Sequence, residues 1–506
     1  MTNSDRHPPA PRLLRPAAAL GLLLALVLGL GGCQGRPRDP AAAPPVNIVL
    51  IVIDTLRADH LGCYGYFRDT SPSIDAFADE AILFEQAYAP MATTLPSHTS
   101  LFTGLYPLEH AIVANVGDGG QPFRSRAGLR AVAELARSDG CTTAAFVSAT
   151  PLKSVCGLNA GFDVYDQPRA MLRKARETTD AALAWLSAHA NARFFLFVHY
   201  FDPHVPYQPP PPYRALFQTD EELERHLVER HVPPVIHPSL CRGSVSTVTR
   251  QATNLYDGEI RFCDEHVGRL LEWLRQRELW DNSVIVVTAD HGEGLNQHDW
   301  PQHGRTWNEQ VHVPLLIRFP QSGRDWPRRF APLVSLIDVF PTVLGQLDLS
   351  WAGAFFEQAR GVDVLAPGFR ERPLLAQRSA RDCGEHGGPL YALTTRDWRY
   401  HYFEAGRELL FDRLADPHEL QSVAITMPGR TEELRRQTLE LVALLRESGK
   451  RLGAGKGGAV QLDPELQRQM EALGYLSGPT DAKQDDTSGS GALSPATRPD
   501  AQPNRP

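Results

Sequence analysis

Four runs of mostly apolar residues lie in the first two thirds of the chain, and each predicts a buried strand. The runs are Asn47–Ile53 (NIVLIVI), 194–198, 283–288 and 314–317. Such near-continuous apolar runs are typical of parallel strands covered on both faces. Residues 75–86 and 259–276 have helical patterning and lie between the runs. The alternation predicts an α/β fold in which helices flank a large, mostly parallel central sheet.

The pattern changes near residue 371, where shorter strands replace the long runs. Residues 391–394 and 399–403 predict strands and residues 431–447 predict a helix, so we expect a smaller C-terminal α+β domain. The predicted organisation is a leader (1–33), a tether (34–45), a catalytic domain (46–370), a C-terminal subdomain (371–477) and a tail (478–506). The tail has few apolar side chains to bury, which predicts disorder.

The N-terminal segment has the plan of an export signal. Arg12 and Arg15 precede an apolar stretch at residues 17–30, and two glycines then lead to Cys33. This end resembles a bacterial lipoprotein processing site, which predicts that Cys33 is acylated and anchors the protein in a membrane. An ordinary signal peptide or an uncleaved anchor is the alternative. No Asp follows Cys33, and by resemblance to other lipoproteins this favours the periplasmic face of the outer membrane.

Charge and cysteine content narrow the possible partners. The formal net charge of -8 and the lack of a long Lys/Arg run argue against nucleic-acid binding. An exported protein can form disulfides, and proximity suggests pairing Cys141 with Cys156. The cysteines other than Cys33 are Cys63, Cys141, Cys156, Cys241, Cys263 and Cys383. None has a CxxC metal-binding spacing.

Polar side chains directly follow three of the predicted strands. Asp54 follows the first, His199, Asp202 and His204 follow the second, and Asp290 and His291 follow the third. Ligand sites in open α/β sheets form beyond the carboxyl ends of the strands. A single Asp at such a place is often only a turn or capping residue. Two carboxylates with several imidazoles at one sheet edge, however, predict a divalent metal site.

A second candidate is the segment TTLPSH, which contains Thr94. Pro96 suits the first turn of a helix that runs to Thr103 and stops at Gly104. Backbone N–H groups at a helix start favour an anion and would also favour a threonine alkoxide. The alternative is that Thr94 only caps the helix.

Several ordered motifs resemble the sulfatase family of the alkaline phosphatase superfamily. They are IDTLRADHLGCYGY, TTLPSHTSLFTGLYP, HYFDPHVPYQPP, YDGEIRFCDEHVGRLL, TADHGEGLNQHDWPQHGRTWNEQVHVPLLIRFP and ELLFDRLADPHELQSVA. The resemblance spans roughly residues 46–476. It implies a large α/β catalytic domain followed by a smaller sheet domain.

The resemblance also implies roles for individual residues. The metal ligands would be Asp54, Asp290, His291 and Thr94. Thr94 falls on the position that sulfatases convert to formylglycine, so it would be the nucleophile. His204 and His303 would hold the anion or protonate the leaving group, and His98, in place of an arginine, completes the catalytic set. The implied cofactor is one divalent metal among Ca, Mn, Mg and Zn, with Ca or Mn favoured. A second metal is possible, and His298 is a candidate ligand for it.

Departures from the family pattern bear on the reaction. Threonine cannot give the aldehyde of formylglycine, and Thr55 replaces a second metal-binding Asp. The second sulfatase signature reads GCTTAAFVSATPL without its Lys and His, and Lys153 lies nearby but off the pattern. Threonine is the nucleophile in related nucleotide pyrophosphatases and in phosphoethanolamine and phosphoglycerol transferases.

We therefore predict a hydrolase of sulfate or phosphate esters, or a phosphoryl transferase, that acts through Thr94, with phosphoesters favoured. The substrate would be a small-molecule, glycan or lipid ester. The alternatives are a sulfatase that works without formylglycine and a non-catalytic lipoprotein that binds anions or glycans.

Overall fold

The computed structural model describes residues 46–117, 120–235, 248–320, 325–347, 349–379, 390–403, 405–453 and 463–472. The predicted leader, the lipidation site Cys33, the tether and the tail lie outside these ranges. Within them, no helix has the length and apolar character needed to cross a membrane.

The described elements alternate between strands and helices along most of the chain. The strands are β1 (Asn47–Ile53), β2 (Ile82–Phe84), β3 (Ala87–Tyr88), β4 (Thr142–Phe146), β5 (Val164–Asp166), β6 (Phe194–Tyr200), β7 (Ser283–Ala289), β8 (His312–Val313), β9 (Leu315–Arg318), β10 (Arg329–Phe330), β11 (Val334–Ser335), β12 (Leu374–Gln377), β13 (Tyr391–Thr394), β14 (Trp398–Tyr402) and β15 (Glu408–Asp412). The helices are α1 (Pro72–Ala78), α2 (Thr94–Thr103), α3 (Pro107–His110), α4 (Val132–Ser138), α5 (Ala175–His189), α6 (Glu221–Glu229), α7 (Thr249–Gln276), α8 (Asn308–Val311), α9 (Val339–Gly345), α10 (Ala352–Gln358), α11 (Pro428–Arg451) and α12 (Pro464–Ala472).

The largest sheet has the strand order β10-β2-β9-β7-β1-β6-β4-β5. β1 pairs in parallel with both β6 and β7, and its seven residues are all buried. Only β9 is antiparallel to its neighbours β7 and β2. In this register Ile53 lies opposite Tyr200 on one side and Ala289 on the other. The carboxyl ends of three central strands are therefore level, and the predicted fold class is confirmed.

The C-terminal part forms a separate antiparallel sheet with the order β12-β13-β14-β15. Leu393 and Leu410 of this sheet share a small core with Leu434 and Leu445 of α11. The structure thus contains the smaller α+β unit expected from the sequence. The exact boundary at residue 371 stays a prediction.

Two local predictions are wrong. The helix predicted at 75–86 ends at Ala78, because the apolar run Ile82–Phe84 is instead a buried strand that pairs with β9. The suggested disulfide is absent, since Cys141 and Cys156 are both free. The Sγ atom of Cys156 contacts the carbonyl oxygen of Thr150 at 3.9 Å in the core. Cys241 and Cys383 lie outside the described residues.

Candidate metal centre and nucleophile

The polar residues that follow β1, β6 and β7 meet at one edge of the central sheet. Asp54 follows β1 and its backbone N–H donates to the carbonyl of Tyr200, at the end of β6, at 2.9 Å. Asp290 follows β7, the neighbour of β1 on the other side. This arrangement agrees with the convergence expected from the strand pattern.

Three side chains at this edge form a compact group of potential metal ligands. Oxygen or nitrogen atoms of Asp54, Asp290 and His291 all lie within 4.8 Å of one another, and all three residues are buried. Asp290 Oδ1 accepts hydrogen bonds from the backbone N–H groups of Thr55 (3.2 Å) and His291 (2.8 Å). His291 Nδ1 lies 3.0 Å from the carbonyl of Gly292, which can only accept, so His291 Nε2 keeps its lone pair.

The electrostatics of the group favour a bound cation. Burial raises the pKa of Asp54 well above its usual range. Burial, reinforced by the charge of Asp54, does the same to the pKa of Asp290. Burial lowers the pKa of His291 to about 3, so its imidazole is neutral. Both oxygens of Asp54, Asp290 Oδ2 and His291 Nε2 lack hydrogen-bond partners among the described residues. Two carboxylates and a neutral imidazole with unused lone pairs fit a divalent metal.

His199, one of the imidazoles expected at this sheet edge, is a neighbour of this group. Its Nδ1 accepts a long hydrogen bond from the backbone N–H of Ser148 (3.4 Å), and its Nε2 lies 3.3 Å from Asp54 Oδ2. The backbone donor leaves the ring proton on Nε2, facing the carboxylate. Burial, aided by the positive charge of Arg173, lowers the pKa of His199 to about 3. A neutral His199 is therefore placed to orient Asp54, as imidazole–carboxylate pairs do beside metals.

Thr94 is the first residue of α2, while Thr93 occupies the N-cap position. The side chain of Thr93 makes no capping hydrogen bond, and Thr94 Oγ1 is buried without a hydrogen-bond partner among the described residues. The reading of Thr94 as a simple N-cap is therefore wrong. α2 ends, as predicted, at Gly104, whose φ is 69°.

Two contacts fasten α2 to the end of β7. Ser97 Oγ donates to the carbonyl of Asp290 at 2.6 Å. His98 Nδ1 lies 2.8 Å from the carbonyl of Thr94 and 3.5 Å from Asp290 Oδ2. Burial lowers the pKa of His98 well below its usual range, and its Nε2 has no hydrogen-bond partner among the described residues. His98 thus contacts both the carbonyl of Thr94 and the carboxylate of Asp290.

His204 and His303 face each other across the same edge. Their Nε2 atoms are 3.2 Å apart, and the His303 ring lies 4.5 Å from that of His291, centroid to centroid. Both Nδ1 atoms contact carbonyls, those of Val205 and Ala92. Carbonyls only accept, so both Nδ1 atoms carry protons, and the Nε2–Nε2 hydrogen bond requires one further proton. Burial lowers the pKa of His204 to about 4, so His204 is neutral at neutral pH and the pair can accept such a proton.

Two other residues singled out in the sequence do not join the group. Lys153 Nζ donates to Gln469 Oε1 at 2.7 Å. His298 stacks on Trp307 and pairs with Glu309 at 3.2 Å, so its nitrogens are engaged away from the candidate metal ligands.

The fold and this site define an enzyme of the alkaline-phosphatase-like class that hydrolyses ester bonds. The family model described as Sulfatase matches residues 46–349. The chain therefore belongs to the sulfatase family.

Relatives within this class include enzymes named for different esters. The chain is 25% identical to iduronate 2-sulfatase of Homo sapiens, over 67% of this chain and 75% of that protein. It is also 25% identical to the multifunctional alkaline phosphatase superfamily protein PehA of Trinickia caryophylli, over 75% of this chain and 91% of that protein. The phosphonate monoester hydrolase structure of Agrobacterium radiobacter aligns with a TM-score of 0.61 at 22% identity, covering 79% of this chain and 96% of that one.

Proposed function

We propose that this chain is a metal-dependent hydrolase of phosphate or sulfate esters that acts through a covalent ester on Thr94, with phosphoesters favoured. One observation carries the proposal: Thr94 Oγ1 is buried at the start of α2 without a hydrogen-bond partner among the described residues, and the Thr94 carbonyl contacts the His98 imidazole that lies 3.5 Å from Asp290 Oδ2. Leaving a buried hydroxyl unsatisfied costs about 1–3 kcal/mol, which binding of a metal or substrate would offset.

The chemistry of threonine favours phosphate over sulfate. Oxidation of its secondary alcohol yields a ketone, so Thr94 cannot become the formylglycine aldehyde. A hydroxyl that attacks phosphorus directly needs no such modification. The phosphonate monoester hydrolase supports this preference by name, whereas iduronate 2-sulfatase supports sulfate as the second candidate.

Asp54, Asp290 and His291 would hold one divalent metal together with Thr94 Oγ1. When bound, such an ion supplies Lewis-acid stabilisation of the ester oxygens and favours the alkoxide form of the threonine. The ligand set is rich in oxygen and suits Ca or Mn, although the imidazole also admits Zn. Metal identity, and a second ion, remain proposals.

In the first step Thr94 Oγ forms a bond to phosphorus while the bond from phosphorus to the leaving oxygen breaks. The proton released by the Thr94 hydroxyl passes to the His204–His303 pair, and the pair donates a proton to the leaving oxygen. In the second step water attacks phosphorus, and Thr94 Oγ departs and regains a proton. His98 and Ser97 hold the start of α2 against Asp290 through both steps.

The direct test compares Thr94→Ala and Thr94→Ser with the wild type. The substrates are p-nitrophenyl phosphate, bis-p-nitrophenyl phosphate, p-nitrophenyl phenylphosphonate and p-nitrophenyl sulfate, each with added Ca, Mn, Mg or Zn. We expect Thr94→Ala to lose at least about 10³-fold in kcat and still to bind metal, and Thr94→Ser to keep measurable turnover. Wild-type rates in Thr94→Ala would refute covalent catalysis. Turnover of the sulfate alone would favour the second candidate.

The membrane anchor is a separate proposal. We infer from the leader and Cys33 that the enzyme is a lipoprotein on the periplasmic face of a bacterial membrane, where glycan or lipid esters are accessible substrates.

A further inference from the structure

Arg173 lies at the outer end of the sheet edge that carries the candidate metal ligands. Its backbone N–H donates to the carbonyl of Ser148, just after β4, at 3.0 Å. Its Nη1 pairs with Asp166, the last residue of β5. β4 is the neighbour of β6 in the sheet, and His199 lies in β6. Arg173, which contacts the ends of β4 and β5, is therefore on the side of His199 away from β1.

The guanidinium of Arg173 is only partly satisfied. Its side chain is 12% exposed, and Nε and Nη2 are buried without hydrogen-bond partners among the described residues. Its one ionic partner within the described part of the chain, Asp166, is 40% exposed and therefore screened by solvent. A buried cation with unused donors is costly unless an anion binds to it. The carboxylate oxygens of Asp54 and the hydroxyl oxygen of Thr94 are likewise buried without hydrogen-bond partners among the described residues.

The strand order gives the separation between Arg173 and the metal-ligand group. Neighbouring strands lie about 4.8 Å apart, so the end of β4 is about 10 Å from the end of β1. The Arg173 guanidinium therefore extends from a strand end two positions away from the one that carries Asp54. This position suits a second group on the same substrate, carried by the leaving alcohol.

We propose that Arg173 binds a second anionic group of the substrate, so that the preferred substrates are esters of alcohols that themselves carry a phosphate, sulfate or carboxylate. This rests on the proposed function, because it takes the ester to lie at Thr94. Arginine suits such a role, since its planar fork donates two parallel hydrogen bonds to an oxyanion. Arg173 is thus a substrate-anchoring residue that determines specificity.

The test measures inhibition of p-nitrophenyl phosphate hydrolysis by the full chain loaded with Mn. Two inhibitors of matched length are compared, n-hexyl phosphate and 1,6-hexanediol bisphosphate. Bisphosphates of longer and shorter alkanediols then vary the distance between the two phosphate groups. In the wild type the best bisphosphate should inhibit about 10- to 100-fold more tightly than its monophosphate. Arg173→Gln should abolish this ratio and Arg173→Lys should reduce it. Arg169→Gln, an exposed arginine in the preceding segment, should keep it.

The ratio separates anchoring from a structural role. If Arg173 only stabilised the fold, its loss would weaken both inhibitors equally, and an unchanged ratio in Arg173→Gln would overturn the proposal. So would a wild type that does not distinguish the two inhibitors. If Arg173→Gln does not fold, Arg173→Lys decides in the same way. Thermal shifts induced by the two inhibitors provide a readout without turnover. A wild type that hydrolyses no ester but still binds the bisphosphate through Arg173 would refute the proposed reaction and support the anchor.

Discussion

Replacing His298 by Gln should remove a part of the protein's stability that depends on pH. His298 stacks on Trp307, with 4.0 Å between ring centroids and 3° between planes. Its Nδ1 lies 3.2 Å from Glu309 Oε2, and its Nε2 lies 3.3 Å from the carbonyl of Glu419. Both nitrogens therefore face acceptors, which is the arrangement that an imidazolium satisfies and a neutral ring does not.

The size of the effect follows from the pKa. Although burial would lower it, the charges of Glu309 and Glu419 raise the pKa of His298 from 6.5 to about 9. Because the pKa of His298 is higher in the folded than in the unfolded protein, its protonation stabilises the fold. This stabilisation is complete at a pH below the unfolded-state pKa, and it disappears as the pH rises through about 9. A rise of the pKa from 6.5 to about 9 corresponds to a stabilisation of the folded state by at most about 3 kcal/mol.

Urea unfolding at about pH 6.5 and about pH 10 measures this contribution. Other groups also titrate between these values, so the informative quantity is the difference between wild type and His298→Gln. The wild type should lose up to about 3 kcal/mol more than the variant on alkalinisation. Glu309→Gln removes the partner carboxylate, so its free energy of unfolding should fall less on alkalinisation than that of the wild type. An equal alkaline loss in wild type and His298→Gln would refute the assignment of a charged, buried His298.

Other parts of the molecule give shorter tests. Asp290→Asn should abolish the thermal stabilisation of the wild type by added Mn, because it removes one of two carboxylate ligands; undiminished stabilisation would exclude this ligand set. Phe197→Ala should lower the free energy of unfolding by about 3–5 kcal/mol, since the ring is 1% exposed and packs edge-on against Phe102 at 5.0 Å; urea titration measures it. Cys33→Ser should move the protein from the membrane to the soluble fraction on centrifugation, and an unchanged distribution would argue against lipid anchoring.

The central fold was predictable where strands contain nearly continuous apolar runs. β1, β6 and β7 contain such runs, and residues that follow β1 and β7 form the candidate metal-ligand group. β4 escaped prediction because its sequence, TTAAF, has no run of large apolar side chains. The apparent helix at 75–86 failed for the opposite reason. Its last third is apolar enough for a helix face, but the partner that buries it is β9, which is far away in the sequence.

The sequence predicted which residues belong to the site but not which of them are in contact. Strand ends and motifs indicated Asp54, Asp290 and His204, but no pattern shows that His204 meets His303 across 99 positions. For Thr94, the helix position alone left capping as the alternative, and the helix start at Thr94 with Thr93 as N-cap removes it. Its role as nucleophile came from the family resemblance and stays a prediction. Arg173 belongs to no motif and became visible only through the order of β4, β5 and β6.

The charge balance of the site bears on the choice between phosphate and sulfate. A divalent ion on the carboxylates of Asp54 and Asp290 would give a neutral set, because the nearby imidazoles of His98, His199 and His291 are held neutral by burial. A monoanion, such as a sulfate ester or a phosphodiester, then adds one negative charge, which a single proton taken up by the His204–His303 pair would balance. A phosphomonoester dianion adds two, and the second must be met by another cation. The proposed site therefore suits monoanionic reacting groups, and among phosphoesters it favours diesters and phosphonate monoesters over simple monoesters.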